Sequence, residues 1–285
     1  MAFRLNRLND YFFKWLFGRE ERKDILLSFL NAVLSLEEQA ELIDITVAER
    51  ELDPEGLHDK QARLDIVGKA SDGSLINIEV QIANQYDMDK RTLFYWARLY
   101  QGQLQKGQSY KNLCRTVTIN VLDYQFLPQK EAYHTMYSLY EQSTHHRLNR
   151  DLEIHFLELP KWRAYPRKDK NRLDKWITYL SNGSEQELEE IAMSEPAIKK
   201  ALTAEEIFLK QDKERYLYEM REKALWDEIS QLEGAREEGI QKGIQKGIQK
   251  GIRDMILRML ASGMSTEEVA KISGLTETEV RNLNH

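Results

Sequence analysis

No run of about eighteen apolar residues occurs in the 285-residue chain, so no segment is expected to span a membrane. Its start, MAFRLNRLND, has neither an apolar core nor a small-residue cleavage site, which argues against a secretory signal. The single cysteine, Cys114, permits no internal disulfide and agrees with a reducing cytoplasm, the expected location. His145 and His146 are adjacent, but no cysteine or third histidine stands at ligand spacing, so zinc is not expected. No GxxxxGK[ST] loop is present to support an ATP-driven machine. Positive charge is in deficit as well. A net charge of −6 excludes a uniformly basic coat, although one basic face would be enough for nucleic acid.

What is present is ordinary for a helix-rich globular protein: 41% hydrophobic and 31% charged residues. The length allows one good-sized domain with an appendage, or two small ones. One basic stretch stands out. KWRAYPRKDKNRLDK, residues 161–175, holds seven basic residues against two acids, with Trp162 and Tyr165 between them. It reads either as a solvated loop leading into a helix or as a phosphate-contacting patch.

Apolar spacing predicts helix over residues 8–36, broken near Gly18, and again from Asp87 to about Lys106. In the latter, Leu93, Trp96, Leu99, Tyr100 and Leu104 are expected along one side. LIDITVAER (42–50), TVTINVLDY (116–124) and EIHFLEL (153–159) read as strands. After about residue 168 strand signals stop and helices follow. That order predicts a mixed α/β core with an all-α C-terminal extension. The expected division is 1–168 for the core, 169–253 for a helical extension and 254–285 for a small cap.

LDIVGKASDGSLINIEVQ, residues 64–81, reads as a hairpin with two carboxylates set among apolar residues. Strand alternation puts Asn77, Glu79 and Gln81 on one face and Ile76, Ile78, Val80 and Ile82 on the other. A two-residue turn would mix polar and apolar faces. A three-residue turn at Ser71-Asp72-Gly73, with Gly73 left-handed, opposes Asp65 to Glu79 and keeps one face apolar. The two carboxylates then lie about 5 Å apart at Cβ and need a positive neighbour between them. Arg63 could supply it, or a divalent metal held by oxygen ligands could. A solvated sheet face carrying two scattered acids is the plain alternative.

An Asp on one strand, a turn, then Glu-x-Gln on the next resembles the PD-(D/E)xK nuclease superfamily. More narrowly, the chain resembles the Rpn family of recombination-promoting nucleases, also described as transposases. The resemblance is carried by NDYFFKWLFG (9–18), RLDIVGKASDGSLINIEVQ (63–81) and RTLFYWARLYQGQLQKGQSY (91–110), and continues through TVTINVLDY and HFLELPK. It implies a restriction-endonuclease-like core and a DNA endonuclease that uses Mg²⁺, with Mn²⁺ and Ca²⁺ as alternatives. By resemblance, Asp65 and Glu79 are catalytic metal ligands, and Asp10 completes the metal shell from a helix. Gln81 occupies the position where many members have lysine, which leaves the source of positive charge open among Lys69, Arg63 and a second metal. The helix after the hairpin would face DNA with Arg91, Tyr95, Arg98 and Gln103. Arg167 and Lys168 of the basic stretch are further candidate DNA contacts. Plain alternatives remain: Asp10 as a helix cap, Tyr95 and Trp96 as packing residues, Arg98 paired with an acid, Lys14 on the surface.

The tail carries GIQKGIQKGIQKGI, with glycine every four residues from Gly239 to Gly251 and isoleucine beside each. A helix paired in a homodimer is preferred here over a flexible linker. MSTEEVAKISGLTETEVRNL has helix–turn–helix grammar, with capping boxes at Ser265/Glu268 and Thr276/Glu279 and a turn at Gly274. Its second helix is acidic, which favours a protein-contacting or regulatory cap over base reading. The overall expectation is a metal-dependent DNA endonuclease of recombination, mobile elements or defence, dimeric through its C-terminal helices, with an inhibitory or regulatory protein as a further partner. A nuclease-derived DNA-binding or assembly protein with weak catalysis is the second reading.

Overall fold

The computed structural model describes residues 5–35, 41–48, 66–84 and 87–283, and the chain divides into two compact units, 1–223 and 224–285. In the first unit, α1 (Asp10–Phe17) starts at Asn9, whose side chain accepts from the backbone N–H groups of Tyr11 and Phe12. Asn9 is therefore the cap, and Asp10 is the first helical residue. Gly18 closes α1 by donating to Lys14 O, and a Cβ there would fall 2.6 Å from that oxygen. The expected break near Gly18 thus has a steric cause, and α2 (Lys23–Leu34) follows it.

β1 (Ile45–Val47), β2 (Ile66–Ala70) and β3 (Leu75–Gln81) form an antiparallel meander. The chain then crosses through α3 (Met88–Gln101) to β4 (Thr116–Leu122), which runs parallel to β3. β6 (Leu152–Glu158) lies parallel beside β4, and β5 (His134–Tyr137) forms the edge antiparallel to β6. The sheet order is β1-β2-β3-β4-β6-β5. β5 is absent from the sequence expectation because HTMY is short and carries little apolar alternation.

One sheet face is apolar. Ile66, Ile76, Ile78, Val80, Val117 and Ile119 pack into a core with α1, α2 and the helices α5 (Arg172–Leu180) and α7 (Pro196–Lys210). Phe12, Phe29, Trp176 and Phe208 are fully buried there, each worth about 3 kcal/mol of burial. α4 (Leu159–Ala164) and α6 (Glu185–Ser194) connect these layers.

The other face, polar on β3 and β4 but lined on β6 by Leu152, Ile154 and Phe156, is covered too, by α3, whose Met88 and Trp96 pack with those apolar residues. Thr92 Oγ1 accepts from Asn120 Nδ2 at 3.1 Å, Trp96 Nε1 donates to Thr116 O, and the Gln103 amide bonds both Cys114 and Thr116. The inner side of α3 therefore carries hydrogen-bonding groups, and only Met88 and Thr92 are buried on it. Of the side expected for this helix, Trp96, Leu99, Tyr100 and Leu104 are half-buried, but Leu93 is 49% exposed, beside an exposed Phe94. Hydrogen bonding to β4 and the packing of Met88 and Trp96 together orient the helix.

On β6, Glu153 is buried and bonded by Arg115 (2.8 Å), Arg147 (3.3 Å) and His155 Nε2 (3.0 Å). His155 Nδ1 meets His134 Nε2 at 2.9 Å. Burial, helped by the neighbouring His155, pushes His134 down to about 4. Burial alone would raise Glu153, but the His155 hydrogen bond and the Arg115 charge prevail and hold it at about 2. Both groups bind fewer protons folded than unfolded, so both lose stability towards acid. Stability is expected to fall from about pH 6.5 to 4 through His134, then from about 4.5 to 2 through Glu153. Urea midpoints across that range check this, and His134→Gln should remove the upper limb only.

Where β6 enters α4, Glu158 is fully buried. It accepts from the N–H groups of Phe126 (2.6 Å) and Leu127 (3.0 Å) and pairs with Lys161 Nζ at 2.6 Å. Lys161 also donates to Leu127 O.

α8 (Asp212–Ala261) runs through the boundary between the two units, and the GIQK repeat is helical throughout. In the second unit the end of α8, α9 (Thr266–Ser273) and α10 (Glu277–Leu283) enclose Ile256, Val269 and Val280. Both expected capping boxes are present, and Gly274 is left-handed at φ 73°.

Candidate active site

The hairpin turn sets the geometry. Gly73 is left-handed (φ 87°), its N–H donates to Ala70 O, and Ala70 N–H donates to Ser74 O. Asp72 accepts from both the backbone and the hydroxyl of Ser74, which fixes a three-residue turn. Ile66 then faces Ile78 and Gly68 faces Ile76, the register predicted from the alternation. Asp65 and Arg63 lie outside the described residues.

That register sends Glu79 to the polar face, where it is 1% exposed. Asn77 Nδ2 donates to Glu79 Oε1 at 3.3 Å, and Arg91 Nη2 of α3 approaches Oε2 at 3.9 Å. Arg91 also lies over the Tyr95 ring, 5.4 Å from its centroid. β3 and β4 run parallel, so Asn77 neighbours Thr118 and Glu79 neighbours Asn120. Asn77 Oδ1, Thr118 Oγ1 and Asn120 Oδ1 are buried without a hydrogen-bond partner among the described residues. The Asn120 amide is oriented by donation to His155 O, so its oxygen is the end left over. A buried carboxylate flanked by three such oxygens is an all-oxygen donor set, which suits a hard divalent cation. Among the described residues no group of three histidines, cysteines or acids is arranged to hold a metal ion. The fit therefore rests on Glu79 and its oxygen neighbours. Asn77, Thr118 and Asn120 were not singled out as candidates, since polar residues on a strand next to a carboxylate carry no motif.

The other candidates are spread out. Asp10 is gripped by Arg221 of α8, whose Nε and Nη2 reach its carboxylate at 3.0 and 2.7 Å. Gln81 is half-buried at the end of β3, and its carbonyl accepts from Asp123 N–H. Tyr95 is half-buried and Arg98 exposed on α3, while Gln103 uses its amide to fasten the helix end to β4. Trp96 packs, stacked on Tyr100 at 4.8 Å.

Much of the basic stretch is already neutralised. Lys161 pairs with Glu158, Arg163 with Asp123, Lys170 with Glu187, and Arg172 with Glu41 and Glu195. Arg167 and Lys168 are exposed, Arg167 standing 3.9 Å from Asp174. The stretch is thus largely a set of ion pairs, with Arg167 and Lys168 facing solvent, intermediate between the two readings of its sequence.

A family model described as PD-(D/E)XK nuclease family transposase matches residues 7–235. The chain belongs to that family. The α1-α2-β1-β2-β3-α3-β4 order and the mixed sheet flanked by helices agree with this membership. No curated protein and no solved structure matches the chain. No helix among the described residues is long and apolar enough to cross a membrane.

Proposed function

We propose that this PD-(D/E)XK family member is a divalent-metal-dependent DNA endonuclease, hydrolysing phosphodiester bonds in recombination, mobile-element biology or defence. The carrying observation is Glu79: a carboxylate at 1% exposure on a central strand, beside unsatisfied oxygens and under a helix that bears Arg91 and Arg98. Burying an acid in this way is costly unless positive charge faces it, and the chain itself brings Arg91 to 3.9 Å. Asp65 and Glu79 would hold Mg²⁺ or Mn²⁺, while Asp10, the third acid of the resemblance, is engaged by Arg221 instead. When bound, the ion supplies hydroxide at neutral pH and relieves charge on the phosphate.

The chain's own residues do the rest. Asn77 fixes one Glu79 oxygen by its hydrogen bond, leaving the carboxylate plane set by the strand. Arg91, close to Glu79 and braced over Tyr95, offers a guanidinium to a phosphate arriving at the site. Arg98 on the outer side of α3, with Arg167 and Lys168, contacts the DNA backbone without reading sequence. Gln81 orients water by hydrogen bonding and brings no charge. Gln81→Lys is therefore expected to raise cleavage by roughly a hundredfold, the lower end of what a positioned acid–base group contributes. Initial nicking rates with Mg²⁺ check that.

Gln81 also favours the second reading, a DNA-binding or assembly protein with weak catalysis. Supercoiled-plasmid nicking with Mg²⁺ or Mn²⁺, comparing the wild-type chain with Asp65→Ala, separates the two. If both bind DNA and neither cuts, the assembly reading stands. The α9–α10 pair serves as a protein-contacting cap: Glu277 and Glu279 lie on α10, and Arg281 there pairs with Glu277 at 3.2 Å.

A further inference from the structure

From Ser230 to Met255 every residue of α8 is exposed. Five glycines lie in that span, Gly234 and the repeat glycines 239, 243, 247 and 251, and a Cβ added at any of them would meet nothing within 4 Å. Each glycine costs a helix about 1 kcal/mol relative to alanine, so this stretch is a poor helix by itself. Ile240, Ile244, Ile248 and Ile252 are nonetheless 40–57% exposed along it. A solvated helix with these two properties is short of a covering partner.

Charge identifies the partner. Residues 224–238 carry Asp227, Glu228, Glu233, Glu237 and Glu238 against Arg236 alone. Residues 239–253, a segment of the same length, carry Lys242, Lys246, Lys250 and Arg253 and no acid. One half has four excess negative charges and the other four excess positive. The segment is its own electrostatic complement, but only when reversed.

We infer that residues 224–253 pair with the same segment of a second copy in antiparallel orientation, centred near Glu238 and Gly239. In that register Ile248 is level with Ile229 and Ile252 with Leu225 along the isoleucine side, and the basic half as a whole, Lys250 level with Asp227, runs beside the acidic half. A parallel pair would set acid against acid and lysine against lysine. The glycines permit close backbone approach beneath the opposing isoleucines, which offsets their helical cost. The lysines stand two residues after the isoleucines, about 160° round the helix from them, so they set orientation through the field of the whole segment and not by contacts inside the seam. The pairing is independent of the nuclease reading, since none of these residues belongs to the site.

Thiol crosslinking of the full chain in a Cys114→Ser background, with a short bifunctional maleimide, tests orientation directly. Gly239→Cys should crosslink to itself, at the centre. Ile252→Cys alone should not, because its two copies would sit about 40 Å apart at 1.5 Å per residue. An equal mixture of Ile252→Cys and Leu225→Cys should give the heterodimer band. Self-linking of Ile252→Cys, with no band in the mixture, would establish parallel pairing and overturn the inference. Sedimentation is the second readout: the wild-type chain should run at twice 33.6 kDa. The triple change Lys242→Glu, Lys246→Glu, Lys250→Glu should run as a monomer with unchanged α9–α10 melting. A monomeric wild type at micromolar concentration, or a triple variant that still dimerises, would also overturn it.

Discussion

Glu79→Gln is expected to lower plasmid nicking by about 10³-fold or more, the equivalent of roughly 4 kcal/mol of transition-state stabilisation. The substitution keeps shape and volume, so packing under α3 persists. It removes the charge that a divalent cation and Arg91 would both address. Asn77 Nδ2, which now donates to a carboxylate oxygen, can still donate to the glutamine carbonyl. Folding should therefore survive while the chemistry does not. Two measurements on the same preparation decide the matter: nicking rate in Mg²⁺ and thermal melting. A thousandfold drop with unchanged melting supports the catalytic assignment. If the rate stays within a fewfold of wild type, Glu79 is a structural acid and the proposed mechanism fails. Calorimetric titration with Mn²⁺ gives a readout apart from turnover, since Glu79→Gln should weaken or abolish ion binding.

Glu158→Ala should be the most damaging single change to the fold, costing about 3–5 kcal/mol. Its carboxylate is fully buried, satisfies two backbone N–H groups and neutralises Lys161. Removing it strands a buried ammonium and two amide donors together, and each loss adds to the other. Urea unfolding of the first unit should show the drop directly. The double change Glu158→Leu, Lys161→Met should recover much of it, because it removes the orphaned charge along with its partner. A single variant that melts like wild type would mean that solvent reaches the pair, contrary to the burial seen.

The hairpin was legible in the sequence because its alternation and its turn residues point to one register. Asp72 and Gly73 supply the turn, Ile76, Ile78 and Val80 the core face, and only a three-residue connection reconciles them. Gly18, Gly274 and the two C-terminal capping boxes were equally local signals. What escaped was non-local. The seating of α3 depends on Trp96 and Gln103 reaching backbone oxygens of Thr116 and Cys114, partners that no spacing rule names. The charge of the basic stretch was overstated because Glu158, Asp123, Glu187 and Glu195 come from elsewhere in the chain. At the site, the carboxylate was marked by its intrusion into an apolar pattern. Asn77, Thr118 and Asn120 were not, since an amide or hydroxyl in a strand is unremarkable until its neighbours fail to bond it.

β3 has a hydrogen-bonded strand on either side, so Glu79 projects from a rigid main chain. Loss of activity by exchange of that one side chain would leave the surface of α3 intact. Such a chain would still occupy DNA and, wherever cutting needs two copies, would act as a dominant blocker of its active sibling.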